Sequence, residues 1–283
     1  MSSTSTPPAG VRIRGLVSGG AVRILLVEAH GPAEEVRRRH RLDPTAARLT
    51  AETMVAAGLL SAHLKGDESI TVQIQGETPR ISIYVDHSAD GDIRARTTPS
   101  IPQGEGSLEG LMLTIKSHAG RELYRGVTPL RGTIEAGLAK HMAESSQVDA
   151  ILRLHARIDD DGRVAAAGGV LFERLASEPG QPTLTSKEFE DALGDLRAVD
   201  AGALLTELAF GSLHGEPVNI LDHQPLHWAC RCSQERVTVI LQGLGEAELR
   251  AMIEEDGGAE ITCHFCNEVY RLDDRELAGL LPS

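Results

Sequence analysis

HWACRCSQERV (227–237) and ITCHFCNEVY (261–270) hold all four cysteines of the 283-residue chain: Cys230, Cys232, Cys263 and Cys266. The pattern is Cys-x-Cys, a 30-residue insert, then Cys-x-x-Cys. Two short chelating loops separated by a strand-and-helix insert are how a chain surrounds a tetrahedral Zn²⁺ with four thiolates. ITCHFCNEVYRL reads as strand, knuckle, strand. A thioredoxin-like Cys-x-x-Cys belongs where a strand opens a helix, with its first thiolate at the helix N-terminus, and 267–272 read as extended instead. His264 lies inside the second knuckle, and His223 and His227 just before the first. All three are weak ligand candidates, and His264 is expected to point outward.

The last unit, 226–283, is too small to hold together on apolar burial alone and needs a staple. Zinc in such a site supplies about 10–16 kcal/mol of apparent free energy, and that energy is folding energy. Thiolates are also the form that oxidants attack. Each cysteine can close on its neighbour, and oxidised sulfur binds zinc poorly. The four cysteines therefore suit either a permanent structural zinc or a reversible switch: reduced, metal-bound and folded, or oxidised, metal-free and unfolded.

Upstream, EPGQPTLTS (178–186) marks a boundary. Thr185 and Glu188 fit a capping box, with Leu184 and Phe189 placed as a hydrophobic staple. Two short amphipathic helices are expected, to about Leu196 and from about Asp200 to Phe210, and GSLHGEPVNILDHQP (211–225) reads as loop. Residues 178–225 are thus a helical linker. Its apolar residues Leu184, Phe189, Leu193, Leu196, Leu204, Leu205, Leu208 and Phe210 suit ordinary buried helix faces, or a surface covered only while the last unit stays folded.

The block 11–177 alternates strands in runs with helices between hairpins, which predicts an α+β domain. VRIRGLVSGGAVRILLVEA (11–29) reads as two strands joined at Gly19-Gly20. A helix with Pro32 in its first turn follows, then a longer one capped by Asp43 with Pro44 at its first position, running to about Lys65. SITVQIQG (69–76) and RISIYVDH (80–87) form a strand pair, as does 108–130. Residues 132–158 read as helix then strand, and 162–177 closes the block. MSSTSTPPAG (1–10) is expected to be disordered.

Composition narrows the functions. The formal charge is −13, which repels phosphate backbones and anionic membranes. No stretch approaches the roughly 20 apolar residues that span a bilayer, and the N-terminus lacks a secretory pattern, so a cytoplasmic protein is expected. There is no Gly-rich Lys-Ser/Thr phosphate loop, Gly-x-Ser-x-Gly elbow or His-Glu-x-x-His, so no enzyme is expected. GEGSLEG (104–110) has the wrong spacing for a phosphate loop and reads as a turn. His30, His40, His63, His141 and His155 read as solvated or satisfied, and RRRHR (37–41) as a solvated helix face.

The ending from Cys230 to Leu272, with CSQER after the first cysteine pair and CHFCNEVYRL at the second, resembles the redox-regulated 33 kDa chaperonin family, heat-shock protein 33. ARLTAETMVAAGLLSAHLKGDESITVQIQG (47–76), YRGVTPLRGTIEAGLAKHMAESSQV (124–148) and AAAGGVLFERL (165–175) are similar to its N-terminal domain. GDIRARTTPS (91–100), LEGLMLTIKS (108–117) and VLFERLASEPG (170–180) depart from the family pattern. The resemblance implies an ATP-independent holdase that, when reduced, binds one Zn²⁺ per chain through the four cysteines and is inactive. Oxidation would form Cys230–Cys232 and Cys263–Cys266 disulfides, release zinc and unfold the linker. The protein would then form a homodimer and hold unfolding clients, with Leu184, Phe189, Leu193, Leu196, Leu204, Leu205, Leu208 and Phe210 of the linker as the candidate client-binding residues. The rivals are a zinc-ribbon interaction or nucleic-acid module with a permanent metal, disfavoured by the acidic EEDGGAE (254–260) and DDRE (273–276), and a thiol oxidoreductase working through Cys263 and Cys266.

Overall fold

β1 (Gly10–Val17) and β2 (Val22–Glu28) form an antiparallel pair because their β-branched residues alternate across the pleat, with Ile13 opposite Leu26 and Gly15 opposite Ile24. The computed structural model describes residues 10–17, 22–103, 107–146, 149–175, 212–213 and 216–281. Two compact units result, divided between Trp228 and Ala229.

In the first unit, α1 (His30–His40) leads into α2 (Pro44–Leu60). Asp43 caps α2, its carboxylate accepting from the Thr45 and Ala46 N–H groups at 2.9 and 3.4 Å. A 3₁₀ turn (Ser61–His63) continues it, close to the end expected from sequence. Then come β3 (Glu68–Thr78), β4 (Arg80–Ser88), β5 (Asp92–Gln103), β6 (Leu108–His118) and β7 (Arg121–Gly132). α3 (Ile134–His141), a π turn, β8 (Ala150–Ile158) and β9 (Val164–Arg174) follow. β10 (Ser212–Leu213) and β11 (Glu216–Pro217) make a minimal ladder before β12 (Asn219–Trp228).

The large sheet runs β7-β6-β3-β4-β5-β12-β1-β2-β9-β8. Its pairings are antiparallel except β5 with β12. α2 packs on central strands from both halves, burying Met54, Val55 and Leu59 in the same core as Val27, Val72, Ile83 and Leu171. Gly58 permits that approach, because a Cβ there would sit 2.9 Å from a Val27 methyl. α3 touches both β7 and β8, the two ends of the sheet, so the strands curl around the helices. Ile13, Ile24, Leu26, Val170 and Phe172 form a second cluster on the other side of β1, β2 and β9. The mixed helix and sheet content is the α+β class expected.

Four expectations need correction or placing. Residues 219–225 are not loop: β12 runs antiparallel along β1, with Ile13 opposite His223 and Val11 opposite Pro225, and Arg12 donates to Asp222 at 3.1 Å. It belongs to the first unit, which extends to Trp228. Gly10 is not disordered but begins β1, where a Cβ would lie 2.3 Å from the Glu28 carbonyl oxygen. Of GEGSLEG, Leu108–Gly110 already belong to β6, while 104–106 lie outside the described residues. The linker residues Leu184, Phe189, Leu193, Leu196, Leu204, Leu205, Leu208 and Phe210 also lie outside the described residues, as do 1–9. The stretches that depart from the family pattern supply β5, β6 and part of β9, which pair antiparallel with their neighbours, the register shifting between Arg80 and Ser82 of β4 opposite β5 and between Lys116 and Ser117 of β6 opposite β7.

The second unit carries α4 (Gln234–Gln242), α5 (Glu246–Ala251), a π turn, the hairpin β13 (Gly258–Thr262) and β14 (Val269–Asp273), and α6 (Asp274–Ala278). Its apolar core is small: Val237, Leu241, Leu249, Leu272 and Leu277 are the buried members. Ser233 caps α4 and Asp273 caps α6 in a reciprocal capping box with Glu276. Among the described residues no helix is long and apolar enough to cross a membrane.

Candidate metal centre

Each cysteine pair sits where local backbone chemistry shapes a loop. The first pair lies in the segment that enters α4. There the Ser233 hydroxyl accepts from the Arg236 N–H at 3.3 Å, and the Arg236 guanidinium donates to the Arg231 carbonyl at 2.7 Å, between the two cysteines. CSQER is therefore a helix cap and a loop clamp in one. The second pair forms the turn between β13 and β14. The Cys263 N–H donates to the Glu268 carbonyl at 2.9 Å and the Asn267 N–H to the Cys263 carbonyl at 2.8 Å. Asn267 holds a left-handed φ of 56°, which asparagine tolerates better than most residues.

These loops bring Cys230, Cys232, Cys263 and Cys266 together, with all four sulfurs within 4.8 Å of one another. Cys230 Sγ and Cys263 Sγ lie 3.6 Å apart, and Cys232 Sγ and Cys266 Sγ 3.3 Å. Metal–sulfur bonds of about 2.3 Å in a tetrahedron require sulfurs about 3.8 Å apart, so the donor set fits one ion. Cys266 is 4% exposed.

The electrostatics call for a cation. Burial raises the Cys263 thiol, but the N–H groups of Phe265 and Cys266 together with the Cys266 and Cys230 thiols outweigh it and hold its pKa at about 7. Burial and the neighbouring sulfurs push Cys266 up, and burial also raises Cys230. Four sulfurs this close cannot all carry charge without a positive ion among them.

His264 is exposed in the knuckle, and His223 and His227 are exposed on β12; none joins the sulfur cluster. Among the described residues, other histidines have structural partners or face solvent. His63 Nε2 lies 2.9 Å from the buried Glu173 carboxylate, His141 is buried beside Thr114, and His155 is exposed. The basic run on α1 is spent on its own helix, Arg37 pairing with Glu34, and Arg38 and Arg39 with Glu35. Arg39 also lies over the Trp228 ring, 4.1 Å from its centroid.

One residue at the centre escaped sequence reading. The Tyr270 O–H donates to Cys232 Sγ at 3.0 Å. Its signal was the two-residue period of β14, which places Tyr270 on the same face as the buried Leu272.

Comparison with known proteins agrees with this architecture. The family model described as "Hsp33 protein" matches residues 11–273. The 33 kDa chaperonin of Halalkalibacterium halodurans is 33% identical over 285 residues, covering 95% of this chain and 97% of that one. The 33 kDa chaperonin of Bacillus subtilis is 32% identical over 286 residues, with 95% and 97% covered. The crystal structure of the 33 kDa chaperonin (heat shock protein 33 homolog) from Thermotoga maritima superposes with a TM-score of 0.80 at 22% identity, covering 95% of this chain and 97% of its own. With a match to the family model over most of its length and relatives at this identity, the chain belongs to the Hsp33 family.

Proposed function

We propose that this protein is a redox-regulated, ATP-independent chaperone that holds unfolding proteins once its cysteines are oxidised. The observation that carries the reading is the convergence of Cys230, Cys232, Cys263 and Cys266 in a unit whose own apolar core has few members. In such a unit, losing the metal means losing the fold. Zn²⁺ suits four thiolates in a tetrahedron, and when bound it supplies the charge that keeps all four sulfurs ionised. One zinc per chain in the reduced state follows.

Peroxide would take two electrons from each neighbouring pair, giving Cys230–Cys232 and Cys263–Cys266 disulfides. The sulfurs would then no longer hold the ion, and the second unit would unfold. The apolar residues between Leu184 and Phe210 would become available to clients, and two chains would associate. Nothing in this cycle calls on ATP or nucleic acid, and a cytoplasmic setting suits thiols that stay reduced until stress. Two arginines of the second unit are committed to carboxylates, Arg250 to Glu246 and Arg271 to Glu260, which does not favour a phosphate-binding face.

The test is metal content and disulfide mapping before and after peroxide. One zinc per chain, released as those two disulfides form, supports the reading. A variant with all four cysteines changed to serine should bind no zinc and lose redox control. Zinc that stays bound through oxidation would point to a permanent structural site instead.

A further inference from the structure

Tyr270 stands outside the four ligands, yet its phenol reaches one of them. The β13–β14 register sets Tyr270 opposite Ile261, two residues before Cys263. From there its O–H donates to Cys232 Sγ, 38 residues away in sequence, at 3.0 Å. The donors at Cys263 are the backbone N–H groups of Phe265 and Cys266 and the neighbouring ligand thiols of Cys266 and Cys230. The donor from Tyr270 is a side chain on β14, so substitution can remove it without touching the backbone.

We infer that Tyr270 is a positioning residue of the redox switch, whose hydrogen bond holds a lone pair of the Cys232 sulfur and slows its attack on peroxide. The inference rests on the proposed reading of the four cysteines as a peroxide-sensitive switch. In the reaction, a thiolate sulfur attacks one peroxide oxygen. An S–O bond forms, the O–O bond breaks and hydroxide leaves with its electron pair. The neighbouring thiolate then displaces a second hydroxide from the sulfenic acid and forms the S–S bond. Two sulfurs lose two electrons, one peroxide becomes two hydroxide ions, and these take up two protons from solvent. The first step needs a free lone pair on sulfur. A hydrogen bond to an ionised sulfur is of the strong, charge-assisted kind and must weaken as that pair is donated.

The experiment uses reduced, zinc-loaded full-length protein. Wild type and Tyr270→Phe are treated with hydrogen peroxide while a chromogenic chelator reports zinc release. A sulfenic-acid trap with mass spectrometry reports which sulfur reacts. The expected result is oxidation at Cys232 about tenfold faster in Tyr270→Phe, with the rise confined to that sulfur among the four. Equal rates overturn the inference while leaving the switch reading standing. So does a uniform rise at all four cysteines with weakened zinc binding, which marks simple structural support. If Tyr270→Phe fails to hold zinc, 3-fluorotyrosine in place of Tyr270 decides. It keeps the ring and donates more strongly, so oxidation at Cys232 should slow, and an unchanged or faster rate overturns the role. A wild-type protein that keeps its zinc under peroxide overturns both readings.

Discussion

Stripping the metal from the reduced protein should unfold residues 229–283 and leave the large sheet intact. The second unit's apolar core has Val237, Leu241, Leu249, Leu272 and Leu277 as its buried members, with Met252, Ile253, Ile261 and others only partly buried against them. The metal contributes about 10–16 kcal/mol in sites of this kind, whereas a whole domain is stable by about 5–15 kcal/mol. Its removal therefore carries the unit's folding equilibrium across zero. The assay is amide hydrogen exchange with and without a strong chelator under reducing conditions, so that no disulfide contributes. In α4 and in the β13–β14 hairpin, a loss of about 5 kcal/mol raises exchange more than about a thousandfold. The pairing of β1 with β2 and of β3 with β4, built on the large core, should keep its protection. Undiminished protection in α4 and the hairpin after complete metal removal would refute the claim that the sulfurs, not the apolar core, hold this unit.

Two further outcomes follow from particular residues. Leu241→Ala opens a cavity in the second unit's small core at a residue 2% exposed, costing about 2–5 kcal/mol. Because metal binding and folding are linked, chelator competition should show apparent zinc affinity weakened at least about thirtyfold, and an unchanged affinity would show that the core is irrelevant to metal retention. His87 is fully buried and desolvation lowers its pKa to about 4, the Ser88 carbonyl opposing only in part. The folded protein thus holds His87 neutral between pH 4 and 6.5 while the unfolded chain takes up a proton. Its contribution is present above pH 6.5 and is lost as pH falls toward 4, about 3 kcal/mol in all. Denaturant melts across that window should flatten in His87→Gln, and identical pH slopes in the two proteins would contradict the assignment.

The parts legible in the sequence are those with local signals. Cysteine spacing identified the four sulfurs that converge, and the Asp43-Pro44 cap and the Ile/Val alternation of β1–β4 identified their elements. β5 is not among the strands expected from the sequence, and it carries Pro99 and Pro102. Its alternation, Ile93, Ala95 and Thr97 buried against Arg94 and Arg96 outside, was a usable strand signal. β12 offered no such pattern: Leu226 is its one buried residue, and Pro225 and Asp222 read as loop. It is a strand because β1 offers it an edge, with Arg12 tying Asp222 and the Gln224 amide donating to the Ala89 carbonyl at 2.7 Å. Tyr270 likewise acquires its partner through hairpin register, which spacing along the chain does not encode.

The central claim is that oxidation turns holding activity on. Light scattering of a thermally unfolding client should be recorded with the reduced, zinc-loaded protein, with the peroxide-treated protein and with the treated protein after re-reduction. Suppression by the oxidised form alone, reversed on re-reduction with zinc, is the expected result. Equal suppression by reduced and oxidised forms, or by neither, would contradict a switch built on Cys230, Cys232, Cys263 and Cys266.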